Sequence, residues 1–206
     1  MDSHSFTKRW ILVSIGGLFL GSLVQGVTII AIGPALLPEK PVMALFPLDL
    51  SLGLTLGTLQ ALVLRRHLAR AWVWAIATGA GLATAEFLAG FVLHDIMGLE
   101  FGFYRSPLPE ALIALAITGL VIGACVGSLQ YLVLYQAGYH SLRWIPVTIA
   151  GFTSAIAVAD FLAVPEAVIF SLLGLLAGLV LGGVLYGFPT GLLLTRLISS
   201  QPACKD

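Results

Sequence analysis

Six long apolar runs are the feature of this sequence that most constrains its fold. They cover approximately residues 10–33, 41–64, 71–94, 109–134, 144–164 and 166–194. A helix needs about 20 predominantly apolar residues to cross the hydrocarbon core of a bilayer, and each run has that length. The alternation of apolar and polar residues that marks a membrane strand is absent from these runs. The sequence therefore predicts an all-α integral membrane protein with six transmembrane helices.

The overall composition also indicates a membrane protein. Hydrophobic residues make up 59% of the chain and charged residues 10%, whereas about a quarter of a soluble domain is charged. Ten basic and ten acidic residues cancel, which leaves no positive patch for a nucleic acid. The two cysteines, Cys125 and Cys204, are too few for a disulfide framework or a CxxC metal site. The first apolar run far exceeds the core of a cleavable signal, so it predicts a retained helix.

The positions of the basic residues predict the orientation of the chain. Eight of them fall on one predicted side of the membrane: Lys8, Arg9, Arg65, Arg66, Arg70, Arg143, Arg196 and Lys205. Only Lys40 and Arg105 fall on the other side. Because lysine and arginine concentrate in cytoplasmic loops, we predict that both termini are cytoplasmic. Six acids are then expected at or near the opposite surface: Glu39, Asp49, Asp95, Glu100, Glu110 and Glu166.

Short motifs recur along the chain at corresponding positions of the predicted helices. The even-numbered runs carry Gly53, Gly57 and Gln60; Gly123, Gly127 and Gln130; and Gly183, Gly187 and Thr190. The odd-numbered runs carry Trp10 with Gly17 and Gly21; Trp72 with Gly79 and Ala83; and Trp144 with Gly151 and Ala155. In lipid, helices associate by close approach at small residues. These glycines and alanines therefore predict helix packing, and the tryptophans are expected to anchor the helices at the cytoplasmic boundary.

This self-similarity predicts one transmembrane domain built from three tandem helical hairpins. The repeats cover about residues 8–66, 67–136 and 137–197, and a cytoplasmic tail covers 198–206. A Pro-Glu pair precedes or opens each even-numbered run, at Pro38-Glu39, Pro109-Glu110 and Pro165-Glu166. Proline and glutamate both favour the first turn of a helix. Pro47 leaves two alternatives for the second helix, which either kinks or begins there.

Polar residues inside the apolar runs form two predicted layers. Gln60, Gln130 and Thr190 lie close to the cytoplasmic end, where they either bond helices together or line a solute path. Gln25, Glu86 and Asp160 lie nearer the far side. Counting about 100° per residue places Glu86 on the small-residue face and Asp160 nearly opposite. Glu86 is therefore the one acid expected inside the bundle, either as a hydrogen-bonded carboxyl or as a proton or cation site.

Motifs of the common catalytic sites are absent from the sequence. It contains no GxSxG, HExxH or GxxxxGK[ST] segment, so hydrolase, zinc-protease and P-loop activities have no residues to support them. The histidines at 4, 67, 94 and 140 fall at helix ends or in the tail, which leaves no mid-membrane pair for a haem. We therefore predict no enzymatic activity and no cofactor, with a bound lipid or pigment as a weaker hypothesis.

The combination of GxxxGxxQ, LVLRR and AWVWA with a later glycine-rich helix that ends in a threonine and LLL resembles a family of small polytopic bacterial membrane proteins of unknown function. The resemblance covers most of the chain through short repeated motifs. It implies an integral protein of an inner or thylakoid-type membrane, and it implies no activity.

Two hypotheses about function follow from these features. The first is a non-catalytic accessory, scaffold or assembly subunit, whose partners are the lipid bilayer and other membrane-protein subunits. The alternative is a small transporter or solute-binding component that uses Glu86 as its proton or cation site. Tandem hairpins of one orientation differ from the inverted repeats common in transporters, which favours the first hypothesis.

Overall fold

The computed structural model describes residues 3–36, 41–96, 108–162 and 168–200, and all the regular structure in these ranges is helical. A π-helical turn at Phe91–Ile96 continues the third helix. The six α-helices are α1 (Ser3–Leu36), α2 (Pro41–Leu64), α3 (Trp72–Gly90), α4 (Leu108–Gln136), α5 (Trp144–Leu162) and α6 (Val168–Ser199). Each corresponds to one of the apolar runs predicted from the sequence.

Five helices are long and apolar enough to cross a membrane by length and composition. The exception is α5, whose described apolar stretch, Trp144–Val158, is shorter than the others. Large hydrophobic side chains project from the surface of the bundle, among them Ile30, Leu132 and Phe188. Such a surface suits lipid rather than water. The structure is therefore compatible with a multi-pass membrane protein.

The helices form a ring in which each packs against its neighbours in the chain and α6 packs back against α1. The connections 65–71 and 137–143 lie at the same end of this ring. There Leu64, Leu68, Leu134 and Tyr139 belong to one buried cluster. We call this the loop end, and the other the far end. Because each connection at the loop end is short, it holds its pair of helices antiparallel and in contact.

Gly138 ends α4 in a left-handed conformation, with φ of 87°. The Tyr139 amide donates to the Leu134 carbonyl at 2.9 Å, and the Gly138 amide donates to the Tyr135 carbonyl at 3.0 Å. These two bonds define a Schellman motif, which satisfies carbonyls that the helix end would otherwise leave unpaired. The turn places Tyr139 in the buried cluster at the loop end.

Several helix pairs approach each other at backbone distance. A Cβ atom added to Gly53 would lie 2.7 Å from the Gly79 Cα, across the α2–α3 interface. One added to Gly81 would lie 2.8 Å from the Val126 Cα, and one added to Gly183 would lie 2.7 Å from the Ile15 Cα. Real Cβ atoms are not found so close to a neighbouring backbone. A side chain at these positions would therefore push the two helices apart.

Two of the prolines that the sequence suggested as possible helix starts, Pro47 and Pro109, lie within described helices. Pro47 lies inside α2, which begins at Pro41 and runs through it, so α2 does not begin at Pro47. The predicted start signal at Pro109 and Glu110 falls in the first turn of α4. The equivalent pairs at 38–39 and 165–166 lie outside the described residues.

Candidate functional site

Three tryptophans form a buried aromatic cluster at the loop end. Trp10, Trp74 and Trp144 come from the three odd-numbered helices, and each has 0% of its surface exposed. The Trp74 ring contacts Trp10 and Trp144 edge to face, with ring centroids 5.9 Å and 5.5 Å away. Phe6 stacks on Trp10 with centroids 6.2 Å apart. We call these four residues the tryptophan cluster. Its three tryptophans bring α1, α3 and α5 into contact at the loop end.

The tryptophan prediction was wrong in two respects. Trp72 does not correspond to Trp10 and Trp144, because its side chain is 63% exposed whereas Trp74 is completely buried. Residues two apart on a helix differ in direction by about 200°, so only one of the two can face the bundle. Trp10 and Trp144 are also core residues rather than anchors at the membrane boundary, since neither reaches the surface.

Each indole of the tryptophan cluster donates a hydrogen bond to a polar side chain of an even-numbered helix. The Trp74 Nε1 donates to the Gln60 Oε1 at 3.0 Å, and the Trp144 Nε1 donates to the Gln130 Oε1 at 3.2 Å. The Trp10 Nε1 donates to the Thr190 Oγ1 at 3.0 Å. The structure thus gives Gln60, Gln130 and Thr190 the same role toward a tryptophan.

The two glutamines extend these bonds to a further helix. The Gln60 Nε2 donates to the Ser14 Oγ at 3.2 Å, and the Gln130 Nε2 donates to the Thr78 Oγ1 at 2.9 Å. Thr148 occupies the matching position of α5. We call Ser14, Gln60, Thr78, Gln130, Thr148 and Thr190 the polar layer. All six are 0% exposed. Since buried polar groups are costly unless bonded, this layer and the tryptophans bonded to it specify how the six helices fit together.

The third even-numbered helix differs from the other two at two neighbouring positions. Leu56 and Val126 lie one turn before Gln60 and Gln130, whereas α6 has Tyr186 one turn before Thr190. Tyr186 is 1% exposed and packs on Phe152 with ring centroids 4.5 Å apart. Its hydroxyl lies beside Gln60 and Gln130 but makes no hydrogen bond. The larger tyrosine thus accompanies the smaller threonine, which balances the volume of this part of the core.

A second polar group lies toward the far end, between α1, α2 and α3. The Gln25 Nε2 donates to the Asp49 Oδ1 at 3.0 Å. Glu86 interacts electrostatically with the Asp49 carboxyl. The prediction that Glu86 is the one acid inside the bundle was wrong, because Asp49 is also enclosed by the helices; the expected position of Asp49 near the opposite membrane surface stays a prediction. Asp49 is 7% exposed, because it lies one turn before Gly53 on the face that packs against α3.

Asp160 is the third residue of the layer that was predicted from Gln25, Glu86 and Asp160. Asp160 lies on α5, and its side chain is outside the described part of the structure. Glu86 lies twelve residues after Trp74, whereas Gln25 lies fifteen after Trp10. Counting from Trp72 predicted nearly equal depths for Gln25 and Glu86. Counting from Trp74, the tryptophan that is equivalent in burial to Trp10, gives a difference of three residues.

All twelve small residues predicted for helix packing are buried. The sequence interpretation missed Ser14, Thr78 and Thr148, which follow the buried tryptophans by four residues. It also missed Gly81, which contacts Val126. The spacing of a tryptophan, a serine or threonine four residues later and a glycine seven residues later would have identified Trp74, Thr78 and Gly81 together.

Two titratable groups of the connections at the loop end are perturbed by burial. Burial lowers the pKa of His67, and the nearby Arg66 charge lowers it further. Burial raises the pKa of the Tyr139 hydroxyl. Both shifts favour the neutral side chain. A charge on either of these two side chains is therefore disfavoured, although Arg65, Arg66 and Arg70 are exposed nearby.

Among the described residues, no group of three or more histidine, cysteine, aspartate and glutamate side chains is arranged to hold a metal ion. Comparison of the chain with protein-family models, curated proteins and solved structures finds no match. The fold itself defines the class: a helical protein of six α-helices within the described ranges, five of them able to span a membrane.

Proposed function

We propose that this protein is a non-catalytic integral membrane protein, an accessory, scaffold or assembly subunit of a membrane complex. One observation carries the proposal: the polar layer and the tryptophan cluster are buried and bond to each other across the loop end. A solute path needs polar groups that face an open space. Here the indole donors and glutamine groups bind to neighbouring helices, so they hold the bundle together.

The three-hairpin architecture is part of this proposal, with the repeat register moved by two residues in α3. Trp10, Trp74 and Trp144 are then equivalent, and each is followed after four residues by Ser14, Thr78 or Thr148. Small residues follow after seven and eleven positions, at Gly17 and Gly21, Gly81 and Ala85, and Gly151 and Ala155. The repeated indole hydrogen bonds support this alignment. Many transporters consist of two repeats that move relative to each other around a site near the bilayer midplane. A closed ring of three similar hairpins does not have that two-part organisation.

The surface left for a partner is the outside of the ring and its ends. The connections 65–71 and 137–143 are too short for a separate domain, and large apolar side chains such as Ile76 and Leu132 face outward. A partner subunit would therefore bind within the bilayer or at its surfaces. Exposed arginines at the loop end support a cytoplasmic location for that end, in an inner or thylakoid-type membrane.

The alternative, a small transporter or solute-binding component, is favoured by one specific observation. The Asp49 carboxyl is 7% exposed inside α2, and Glu86 lies on the neighbouring α3; ionisable groups within membrane helices often serve ion or proton pathways. The two candidates differ in what accompanies the protein, since a subunit needs a partner and a transporter of this kind does not.

The test is purification from native membranes in a mild detergent, followed by quantitative mass spectrometry and native mass determination. A subunit is expected to retain a partner protein at fixed stoichiometry, and a tagged multi-pass protein of similar size provides the control. Photo-crosslinking at Leu132, which is 52% exposed, should capture that partner. The same crosslinker at Leu134, which is 1% exposed on the same helix, should not. A protein that purifies alone and gives equal products at both positions would contradict the proposal.

A further inference from the structure

The connection between α2 and α3 carries a concentrated positive charge at the loop end. Arg65, Arg66 and Arg70 lie within six consecutive residues, and all three side chains are exposed. We call them the arginine cluster. Within the described ranges, neither the connections 65–71 and 137–143 nor the helical turns that adjoin them contain an aspartate or a glutamate. The charge of the arginine cluster therefore suits an anion that comes from outside the chain.

An exposed apolar surface lies beside the arginine cluster on the outside of the ring. It consists of Leu54 and Leu62 on α2 and of Trp72 and Ile76 on α3, all of which are exposed. The Leu54 side chain packs on Gly79. Trp72 and Ile76 precede Gly79 by seven and three residues, on one face of α3. The four exposed residues therefore border the same helix pair, and we call them the outer face.

The arginine cluster and the outer face together match the two parts of a phospholipid. Acyl chains pack on apolar side chains, and the guanidinium group of arginine binds a phosphate through paired hydrogen bonds. An exposed indole prefers the headgroup level of a bilayer. Trp72 follows Arg70 by two residues, so it places the arginine cluster at that level. Because a zwitterionic headgroup cancels its own phosphate charge, the surplus positive charge favours an anionic lipid.

The connection between α4 and α5 offers a similar surface with less charge. Gln60 and Gln130 accept equivalent indole hydrogen bonds, so residues at equal distances after them correspond. The counterparts of the arginine cluster are Tyr135, Gln136 and His140, and the counterpart of Trp72 is Leu142. Leu142 is exposed like Trp72, whereas the arginines have no equivalent among these residues. The ring therefore presents two comparable faces that differ in their charge.

We propose that the outer face binds an anionic phospholipid, with the phosphate of its headgroup against the arginine cluster and its acyl chains along α2 and α3. The lipid is expected to contact this side of the ring in preference to the α4–α5 side. The inference depends on the membrane location of the protein and on the charge of one connection. It does not depend on a partner subunit, so it can fail while the proposed function holds.

The test uses Trp72 as a fluorescent probe of lipid contact. Of the four tryptophans in the chain, Trp10, Trp74 and Trp144 are completely buried, whereas Trp72 is 63% exposed. Bromine on an acyl chain quenches the fluorescence of a tryptophan that it contacts. The purified protein is reconstituted into mixed vesicles of phosphatidylcholine and phosphatidylglycerol, in which one lipid or the other is brominated. Trp72→Phe should remove the quenching and so confirm which tryptophan reports it.

At equal mole fractions, brominated phosphatidylglycerol is expected to quench Trp72 more strongly than brominated phosphatidylcholine. The quenching curves should give a preference of about fivefold or more, which is the effect of one arginine near an anionic lipid. High salt should weaken the preference by screening the charges. Replacing all three arginines of the cluster by glutamine should abolish it. Arg143→Gln, which removes an exposed arginine from the other connection, is the matched control and should leave it unchanged.

A transfer of the site tests the inference independently of how the triple variant folds. In a Trp72→Phe background, Leu142→Trp places the fluorescent probe at the α4–α5 connection. Introducing Tyr135→Arg, Gln136→Arg and His140→Arg there should increase the preference for phosphatidylglycerol.

Three results would overturn the inference. The first is equal quenching of wild-type Trp72 by the two lipids. The second is an equal loss of preference in Arg143→Gln and in the triple variant, which would indicate attraction by all the basic residues together. The third is the absence of quenching by either lipid, which would show that protein rather than lipid covers the outer face.

Discussion

The Trp74 Nε1 donates a hydrogen bond to the Gln60 Oε1 across the α2–α3 interface, with a nitrogen-oxygen distance of 3.0 Å. The same bond joins Trp144 to Gln130 across the α4–α5 interface, also between residues fourteen apart in the chain. Each bond therefore joins two helices that are consecutive in the chain and meet at the loop end. A hydrogen bond between membrane helices contributes about 0.6–2 kcal/mol, and these two are enclosed by the aromatic rings of the tryptophan cluster.

Replacing Trp74 by phenylalanine is expected to destabilise the protein by about 1–3 kcal/mol, because it leaves the buried Gln60 Oε1 without a donor. Trp72→Phe is the matched control, two residues away on the same helix. Its side chain is 63% exposed, so its effect should stay within about 0.5 kcal/mol. The measurement is thermal or denaturant unfolding of both variants in the same detergent. Equal destabilisation by the two substitutions would contradict the assignment of Trp74 to the core.

The pairing of Tyr186 with Thr190 predicts a compensated double substitution. Tyr186→Leu removes a ring that packs on Phe152, and Thr190→Gln adds volume beside that ring. The double variant reproduces the combination of Leu56 and Gln60 found in α2, with a glutamine able to accept from the Trp10 Nε1. We expect it to be more stable than the sum of the two single effects by about 1–3 kcal/mol. Additive effects in the double-mutant cycle would show that the two positions are not coupled.

The tryptophans show where sequence information was sufficient and where it was not. Apolar run lengths alone predicted all six helices, because insertion in lipid depends on length and composition. The segment AWVWA offers two tryptophans on opposite faces of one helix, and hydropathy is the same for both. The choice of Trp74 depends on its partners, Gln60 on α2 and Trp10 and Trp144 on other helices.

The acids show a second limit of the sequence. Glu86 was expected inside because it shares a face with small residues of its own helix, whereas Asp49 was expected near the opposite membrane surface and not as a residue enclosed by the bundle. Burial of Asp49 depends on how closely α2 approaches α3 at Gly53 and Gly79. Local periodicity does not determine helix boundaries or the distances between helices. The grouping of Asp49, Gln25 and Glu86 from three helices therefore could not be predicted from the sequence.

The glycine contacts predict opposite effects of the same substitution at two positions. Gly81→Ala should be destabilising by about 1–3 kcal/mol, because its Cβ would overlap the Val126 backbone. Gly26→Ala places its Cβ in open space, with nothing within 4 Å. It should be neutral or stabilising by about 0.5–1 kcal/mol through its higher helix propensity. Unfolding in detergent measures both. A Gly81→Ala variant as stable as Gly26→Ala would contradict the close approach of α3 and α4.

The predicted orientation is tested with single cysteines at Ser5, Ser141 and Ser200 in a background without Cys125 and Cys204. If the loop end is cytoplasmic, an impermeant thiol reagent should leave all three unlabelled in intact cells. It should label them after the membrane is opened, which serves as the control for reactivity. Labelling of Ser141→Cys in intact cells would reverse the proposed orientation.

Proton flux into reconstituted vesicles tests the central claim most directly, that the tryptophan cluster and polar layer close the ring and that the protein is not a conduit. Purified wild-type protein and the Glu86→Gln variant are placed in vesicles with a pH-sensitive dye inside, and an imposed pH gradient is followed over time. In both preparations, the pH gradient is expected to decay at the rate seen in protein-free vesicles. A faster decay with the wild type that disappears in a well-folded Glu86→Gln variant would contradict it and establish a transport pathway through the bundle.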